Sequence, residues 1–233
     1  GSEMCIRDRA QAQIIERFGR SPSYVVSCAG VAPAGALLTS PVKMFTRAFD
    51  INAAANVVLA QAFLPAMISN NHGHFMTVAS SASYFSLPNL CAYSMSKTAA
   101  LAFLESLRAE LRAVYKACRV RTSVVTPTKV RTVLAEGLNE GDDDFLMPVL
   151  EPIQVARAMA DTLNSGLSRN ISLPLGSALL PYLRALPEWY RGALRAMGNT
   201  DALVTPESIS RGQQALRGHQ SNLDHMKKLG VHS

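Results

Sequence analysis

Four short apolar runs, "SYVVSCAG", "HFMTVAS", "VRTSVVTP" and "NISLPL", recur along the chain with helix-length segments between them. Their length and β-branched content mark buried strands. Strands that alternate with helices pair in parallel, because each crossover returns the next strand in the same direction. A parallel sheet in turn needs helices on both faces. The 233 residues therefore read as an α/β domain on a four-stranded parallel sheet, long enough to bury a substantial core.

The connecting helices are legible too. "RAQAQIIERFG" reads as a helix closed by Gly19, and a long helix covers roughly 42–69. A helix over 91–115 carries Ala100, Phe103, Leu107, Leu111 and Val114 as its core stripe. "EPIQVARAMADTLNSG" starts with Pro and ends with Gly, as helices do. The opening "GSEMCIRDR" fits no element, so residues 1–9 are read as a non-native or unstructured leader. The domain is placed at 10–200 and a polar tail at 201–233.

Composition narrows the function classes. With 17% charged and 48% apolar residues, disorder is excluded. The net charge of +6 comes without a dense basic run or interleaved aromatics, which argues against a nucleic-acid partner. Cys5, Cys28, Cys91 and Cys118 form no CxxC pair and read as free thiols in a reducing compartment. The most apolar stretch, "INAAANVVLAQAFLPAMI", is interrupted by Asn52, Asn56, Gln61 and Pro65 and reads as a buried helix, so no transmembrane or targeting segment is expected in this chain. His72 and His74 bracket Gly73 in a turn with no further ligands at a useful spacing, so no metal is expected.

Chemistry enters at residues 78–97, "VASSASYFSLPNLCAYSMSK". Tyr93 and Lys97 stand four apart and share a helix face. A cation beside a phenol favours phenolate, so Lys97 is expected to lower the Tyr93 pKa and make it a proton donor and acceptor for an alcohol–carbonyl pair. Such a pair also arises by chance. Its weight comes from Ser80, thirteen residues before Tyr93, from Asn52 in "DINAAAN", from "SCAG" at 27–30, and from "PTKVRT" at 127–132.

In that order and spacing these features resemble the short-chain dehydrogenase/reductase superfamily, over about residues 10–200. "FLPAMISNNHGHFMTVASSAS" and "AYSMSKTAALAF" are most similar to the branch of retinol dehydrogenases and lipid-droplet 17-beta-hydroxysteroid dehydrogenases. The resemblance implies a Rossmann-like doubly wound sheet and an NAD or NADP cofactor that carries the hydride. It casts Tyr93 as proton donor, Lys97 as its partner and ribose ligand, Ser80 as holder of the substrate oxygen, and Asn52 as anchor of a water relay. Cofactor contacts would come from Cys28, Ala29, Gly30, Tyr93, Lys97, Pro127, Val130 and Thr132. Ser81 competes with Ser80, Asn52 with a helix residue bonded to backbone, and Thr132 with a helix cap.

The pattern is also incomplete. The family's first three strands and its Gly-rich turn have no counterpart here, so the sheet is expected to be partial, with "SYVVSCA" as an apolar edge and the chain a fragment. Thr128 replaces the family's usual Gly, and Ser27-Cys28 its Asn-Asn. "GDDD" at 141–144 reads as a solvated loop or a lid over substrate. "SALLPYLRALPEWYRGALRAMG" mixes Trp189 with Arg184, Arg191 and Arg195, and suits either a membrane interface or a pocket or dimer helix.

The expected function is interconversion of an alcohol and a ketone or aldehyde on an apolar retinoid, steroid or other lipid. The alternatives are a 3-ketosphinganine-type or acyl-ketone reductase, and a non-catalytic membrane or lipid-droplet surface protein. By resemblance the protein would face the cytosol on the endoplasmic reticulum membrane or a lipid droplet. It would pair as a homodimer through the 42–69 and 91–115 helices.

Overall fold

The computed structural model describes residues 2–135, 148–197, 204, 205 and 209, with side chains from residue 10 onward. Four strands, β1 (Tyr24–Ser27), β2 (Gly73–Val78), β3 (Val120–Pro127) and β4 (Asn170–Leu173), form one sheet in the order β1-β2-β3-β4. Every pairing is parallel, with Val25 beside Phe75, Thr77 beside Val124 and Val125 beside Ile171. This Rossmann-like arrangement puts all four strand ends on one edge of the sheet, where ligands bind in open α/β folds. β1 is an outer strand, and its Tyr24 and Val26 are exposed.

The helices are α1 (Ser2–Phe18), α2 (Val42–Phe49), α3 (Ala55–Ser69), α4 (Cys91–Ala113), α5 (Pro152–Ser165), α6 (Leu180–Leu183) and α7 (Glu188–Met197). α1 starts at Ser2, so the segment read as a leader is helical. α2 and α3 are joined by a π-helical turn, Asp50–Ala54. The resulting helix Val42–Ser69 is long and apolar enough to cross a membrane by length and composition. Here it packs on the sheet through Ala60, Phe63, Leu64 and Met67, and buries Asn52 and Asn56. α5 has the expected Pro152 at its start, with a capping box between Glu151 and Gln154 ahead of it.

The core lies between the sheet and the α3–α4 pair, built on Val25, Phe75 and Val124 from the strands and Leu101, Leu104, Leu107 and Leu111 from α4. Phe75 meets Phe103 edge-on, with ring centres 6.1 Å apart. Of the expected α4 stripe, Ala100, Leu107 and Leu111 are buried and Phe103 packs against the core; Leu101 and Leu104 join them, while Val114, expected inside, is 64% exposed just past the helix end. At the start of β2, Gly73 has φ +152, and a Cβ there would lie 2.6 Å from Met67 Cγ, so only glycine allows this close approach of strand and helix. His74 is not in a turn: it sits inside β2, 1% exposed, with Nε2 2.9 Å from Ser123 Oγ. Burial pushes its pKa down to about 4, so this ring is neutral.

Residues 136–147, which include the acidic "GDDD" loop, lie outside the described residues, as does most of the 201–233 tail. Val204 is described and buried, and its carbonyl accepts a 2.8 Å hydrogen bond from Asn89 Nδ2. The helix phase has a direct test. Leu104→Ala is expected to cost about 2–5 kcal/mol in denaturant unfolding, and Val114→Ala less than about 0.5 kcal/mol. Equal costs would contradict the packing described.

Candidate active site

The site collects at the carboxyl ends of β1 and β2, where the chain must leave the sheet. After Ser27, Cys28 and Ala29 are exposed, and Gly30 turns inward. A Cβ on Gly30 would stand 3.1 Å from Asn52 Oδ1 and 3.3 Å from Lys97 Nζ, so the loop can pass this closely only without a side chain. The next residue is pinned by Asn52. Its Oδ1 accepts from the Val31 N–H and its Nδ2 donates to the Val31 carbonyl, both at 2.8 Å.

Asn52 reaches that loop because of the π turn. One extra residue per turn redirects the side chain and frees backbone carbonyls, a device common at functional sites. Asn56 takes up the freed groups: its Nδ2 donates to the Asn52 carbonyl at 2.9 Å and the Ala53 carbonyl at 3.2 Å. Its Oδ1 accepts from Thr77 Oγ1 at 3.1 Å. Asn52 Nδ2 also donates to Ser96 Oγ at 2.8 Å. The Asn52 side chain is thus a brace between the β1 loop and α4, rather than a helix residue bonded to its own backbone.

Beyond β2 the backbone stays extended through Ser80, which caps a short 3₁₀ turn at Ser81–Ser83 by accepting from the Ala82 N–H at 3.2 Å. Ser80 is buried, and its hydroxyl is the one that bonds the Tyr93 phenol. One helical turn after Tyr93, Lys97 is 3% exposed, with Nζ donating to the Val78 carbonyl at 2.8 Å and lying 6.0 Å from the Tyr93 ring centre.

Electrostatics here differ from the sequence expectation. Burial lowers the Lys97 pKa to about 8, partly offset by the Cys28 thiol nearby. Tyr93 is raised above its ordinary value by burial, with only the Ser80 hydrogen bond pulling it back. The expected lowering of Tyr93 by Lys97 does not occur in this arrangement, because the ammonium is turned to the Val78 carbonyl and desolvation of the phenol dominates. Tyr93 is therefore a protonated phenol near neutral pH.

The third strand end contributes on the same edge. Pro127 ends β3 and is buried. Thr128 N–H donates to the Leu173 carbonyl at 2.8 Å, while its buried hydroxyl has no partner. Val130 is half-buried and bridges to Leu150. Thr132 is exposed, and its hydroxyl donates to the Val130 carbonyl at 3.3 Å. Asn52, Ser80, Tyr93, Lys97 and Gly30 are brought together, and Pro127, Val130 and Thr132 lie one strand further along. Ser96, Asn56 and Thr77 were not foreseen; the one signal in the sequence was Asn56, a second Asn one turn after Asn52 in an apolar helix.

A family model described as short chain dehydrogenase matches residues 6–143. The chain belongs to the short-chain dehydrogenase family. Human estradiol 17-beta-dehydrogenase 11 is 37% identical over 175 residues, covering 74% of this chain and 56% of that protein. Epidermal retinol dehydrogenase 2 of Mus musculus is 35% identical over 141 residues, covering 60% of this chain and 45% of the relative. This short-chain dehydrogenase thus spans about half the length of those relatives. An alcohol dehydrogenase from the archaeon Thermococcus sibiricus, solved with 5-hydroxy-NADP, shares the fold with a TM-score of 0.60 at 20% identity, covering 72% of this chain and 68% of that one.

Lys97 gives the site a pH signature. The folded side chain loses its proton near pH 8 and the unfolded one near 10.5, so between those values the unfolded chain binds the extra proton. Stability from this group rises with pH across that window, by about 3 kcal/mol in all. The unfolding free energy of the wild type is expected to climb relative to Lys97→Met between pH 8 and 10.5. A difference that stays flat with pH would contradict the buried ammonium.

Proposed function

We propose that the protein is an NAD- or NADP-dependent oxidoreductase that interconverts an alcohol and a carbonyl on an apolar, retinoid- or steroid-like substrate. The observation that carries this reading is the convergence of Ser80, Tyr93 and Lys97 beside the Asn52 brace, at the strand-end edge of a parallel sheet where open α/β folds bind ligands. Two features of the chain suit the cofactor. Gly30 keeps the end of β1 free of side chain beside Lys97, and Thr128 offers a buried hydroxyl with no partner. Cys28, Ala29 and Gly30 would line the nicotinamide side, Lys97 would meet its ribose, and Pro127, Val130 and Thr132 would flank the carboxamide and phosphates.

Bound NAD(P)H supplies the hydride. The protein's part is proton and charge. In the reductive direction, Ser80 Oγ holds the substrate oxygen and the Tyr93 phenol passes it a proton, for which a raised pKa keeps the donor loaded. The Lys97 ammonium is the nearby charge that stabilises the phenolate left behind and can return a proton to it. In the oxidative direction the same phenol must first lose its proton. That requires Lys97 to leave the Val78 carbonyl for the phenol oxygen.

The apolar substrate class is supported by the named substrates of the relatives and by the exposed apolar side chains of residues 175–197. Leu175, Leu179, Tyr182, Trp189 and Met197 are all more than half exposed. With Arg184 on the same segment, this face suits a lipid surface with anionic headgroups, and hence a place on the endoplasmic reticulum membrane or a lipid droplet. Val42, Phe49, Val57 and Met95 are exposed on the long helices, which favours pairing of two copies there.

Tyr93→Phe in the full-length protein is expected to lower kcat by about 10²–10⁴-fold while the thermal shift with NADH or NADPH is retained. Undiminished turnover of an apolar ketone would sink the assignment, and a non-catalytic surface protein would lose nothing. The single tryptophan gives a separate readout of the lipid face. Trp189 emission is expected to shift to the blue on vesicles containing phosphatidylserine; unchanged emission would count against that face.

A further inference from the structure

Ser96 stands between Tyr93 and Lys97 on α4 and is 1% exposed. Its hydroxyl has one proton, which goes to the Tyr93 carbonyl at 2.7 Å. The lone pairs left over receive Asn52 Nδ2 at 2.8 Å. The Val31 N–H, a donor that cannot be inverted, fixes which end of the Asn52 amide is oxygen. With both amide protons placed, one on Val31 and one on Ser96, the Asn52 side chain has a single satisfied orientation.

These bonds close into a ring. The Asn52 carbonyl accepts from Asn56, Asn56 accepts from Thr77, and Thr77 precedes Val78. The Val78 carbonyl holds Lys97 Nζ at 2.8 Å, and Lys97 follows Ser96. The Gly30–Val31 segment is clamped onto the ring by Asn52, and it passes so close to Lys97 that a Cβ on Gly30 would stand 3.3 Å from Nζ.

We propose that Ser96 is a positioning residue for the oxidoreductase reaction: through Asn52 it holds the Gly30–Val31 segment against Lys97 and keeps the ammonium on the Val78 carbonyl. Its link to turnover rests on the functional reading above, while the positioning itself rests on the hydrogen bonds alone. Without the Ser96 hydroxyl, one Asn52 amide proton is stranded in a site that is 2% exposed. A buried donor without an acceptor is costly, so the amide turns toward other partners and releases Val31. Water then reaches Lys97, and the cation is no longer penalised.

The test reads Lys97 directly, by competitive acetylation of the full-length protein across pH 7–11 and mass analysis of the Lys97 peptide, with no substrate or cofactor present. Facing Lys97 are the Cys28 thiol from the β1 loop and the Tyr93 phenol from its own helix, and both are kept in every variant. The wild type is expected to titrate near 8. Ser96→Ala is expected to raise the midpoint by about one unit toward the ordinary lysine value, and Ser96→Thr, which keeps the hydroxyl, to hold it. If Ser96→Ala does not fold, Ser96→Cys is read in its place, since a thiol fills the space and is a poor partner for the amide.

A folded Ala or Cys variant with an unmoved Lys97 midpoint overturns the proposal, even if its Tm falls, because a purely structural role would move only the Tm. Turnover of an apolar ketone on the same samples separates the two readings. A several-fold lower kcat at unchanged KM in Ser96→Ala supports positioning of the catalytic group. A wild type with no turnover sinks the oxidoreductase reading, and the Lys97 midpoint then decides the positioning by itself.

Discussion

Around the side-chain amide of Asn52, three segments remote in sequence meet through hydrogen bonds to buried atoms: the loop after β1, the π turn of the long helix, and α4. Each bond is about 2.8 Å, and the Asn52 amide and the Ser96 hydroxyl are buried away from water. An unpaired buried amide costs roughly 1–3 kcal/mol, so the three segments are coupled: any one that moves strands polar atoms on the other two. The π turn makes the meeting feasible. An extra residue in one turn rotates the residues that follow by about 100° relative to an unbroken α-helix, and Asn56 covers the carbonyls thereby released.

What this brace surrounds is a lysine taken out of water. Lys97 sits against Gly30 on one side and the Val78 carbonyl on the other. Burial makes its ammonium easier to deprotonate, and burial makes the neighbouring Tyr93 phenol harder to ionise. The two shifts pull the groups apart: Lys97 gives up its proton more readily than Tyr93, so a proton passing from the ammonium to a Tyr93 phenolate runs downhill. The rest of the sheet supplies a rigid edge on which these groups are held. The two inner strands, β2 and β3, are buried on both faces, with Phe75, Met76 and Val125 fully inside, and give that edge little freedom to adjust.

The sheet was legible because strands buried in a parallel sheet are written as short β-branched runs, and all four lie where those runs stand. Ser80, Tyr93, Lys97 and Asn52 were legible from spacing together with resemblance to a family. The phase of α4 was legible as well: Ala100, Leu107 and Leu111 are buried and Phe103 packs against the core, while Leu101 and Leu104 widen the stripe and Val114 falls outside it. The bonding of Ser96 and Asn56 was hidden, although Asn56 stood out as a second Asn in an apolar helix. Sequence spacing names no partner for a helical Ser or Asn, and only tertiary structure reveals that each is buried and which groups it bonds. The direction of the Tyr93 shift was missed because charge proximity can be read from spacing, whereas desolvation depends on everything packed around the ring.

The most direct test of the account is hydride transfer itself. The full-length protein would be incubated with NADH or NADPH deuterated at the transferable position of the nicotinamide, and with an apolar ketone or aldehyde such as estrone or retinal. Mass analysis of the product then follows. The account predicts an alcohol carrying one deuterium on its carbinol carbon with at least one of the two nucleotides. An active, folded preparation that binds nucleotide and yet leaves no deuterium in any such product would contradict it.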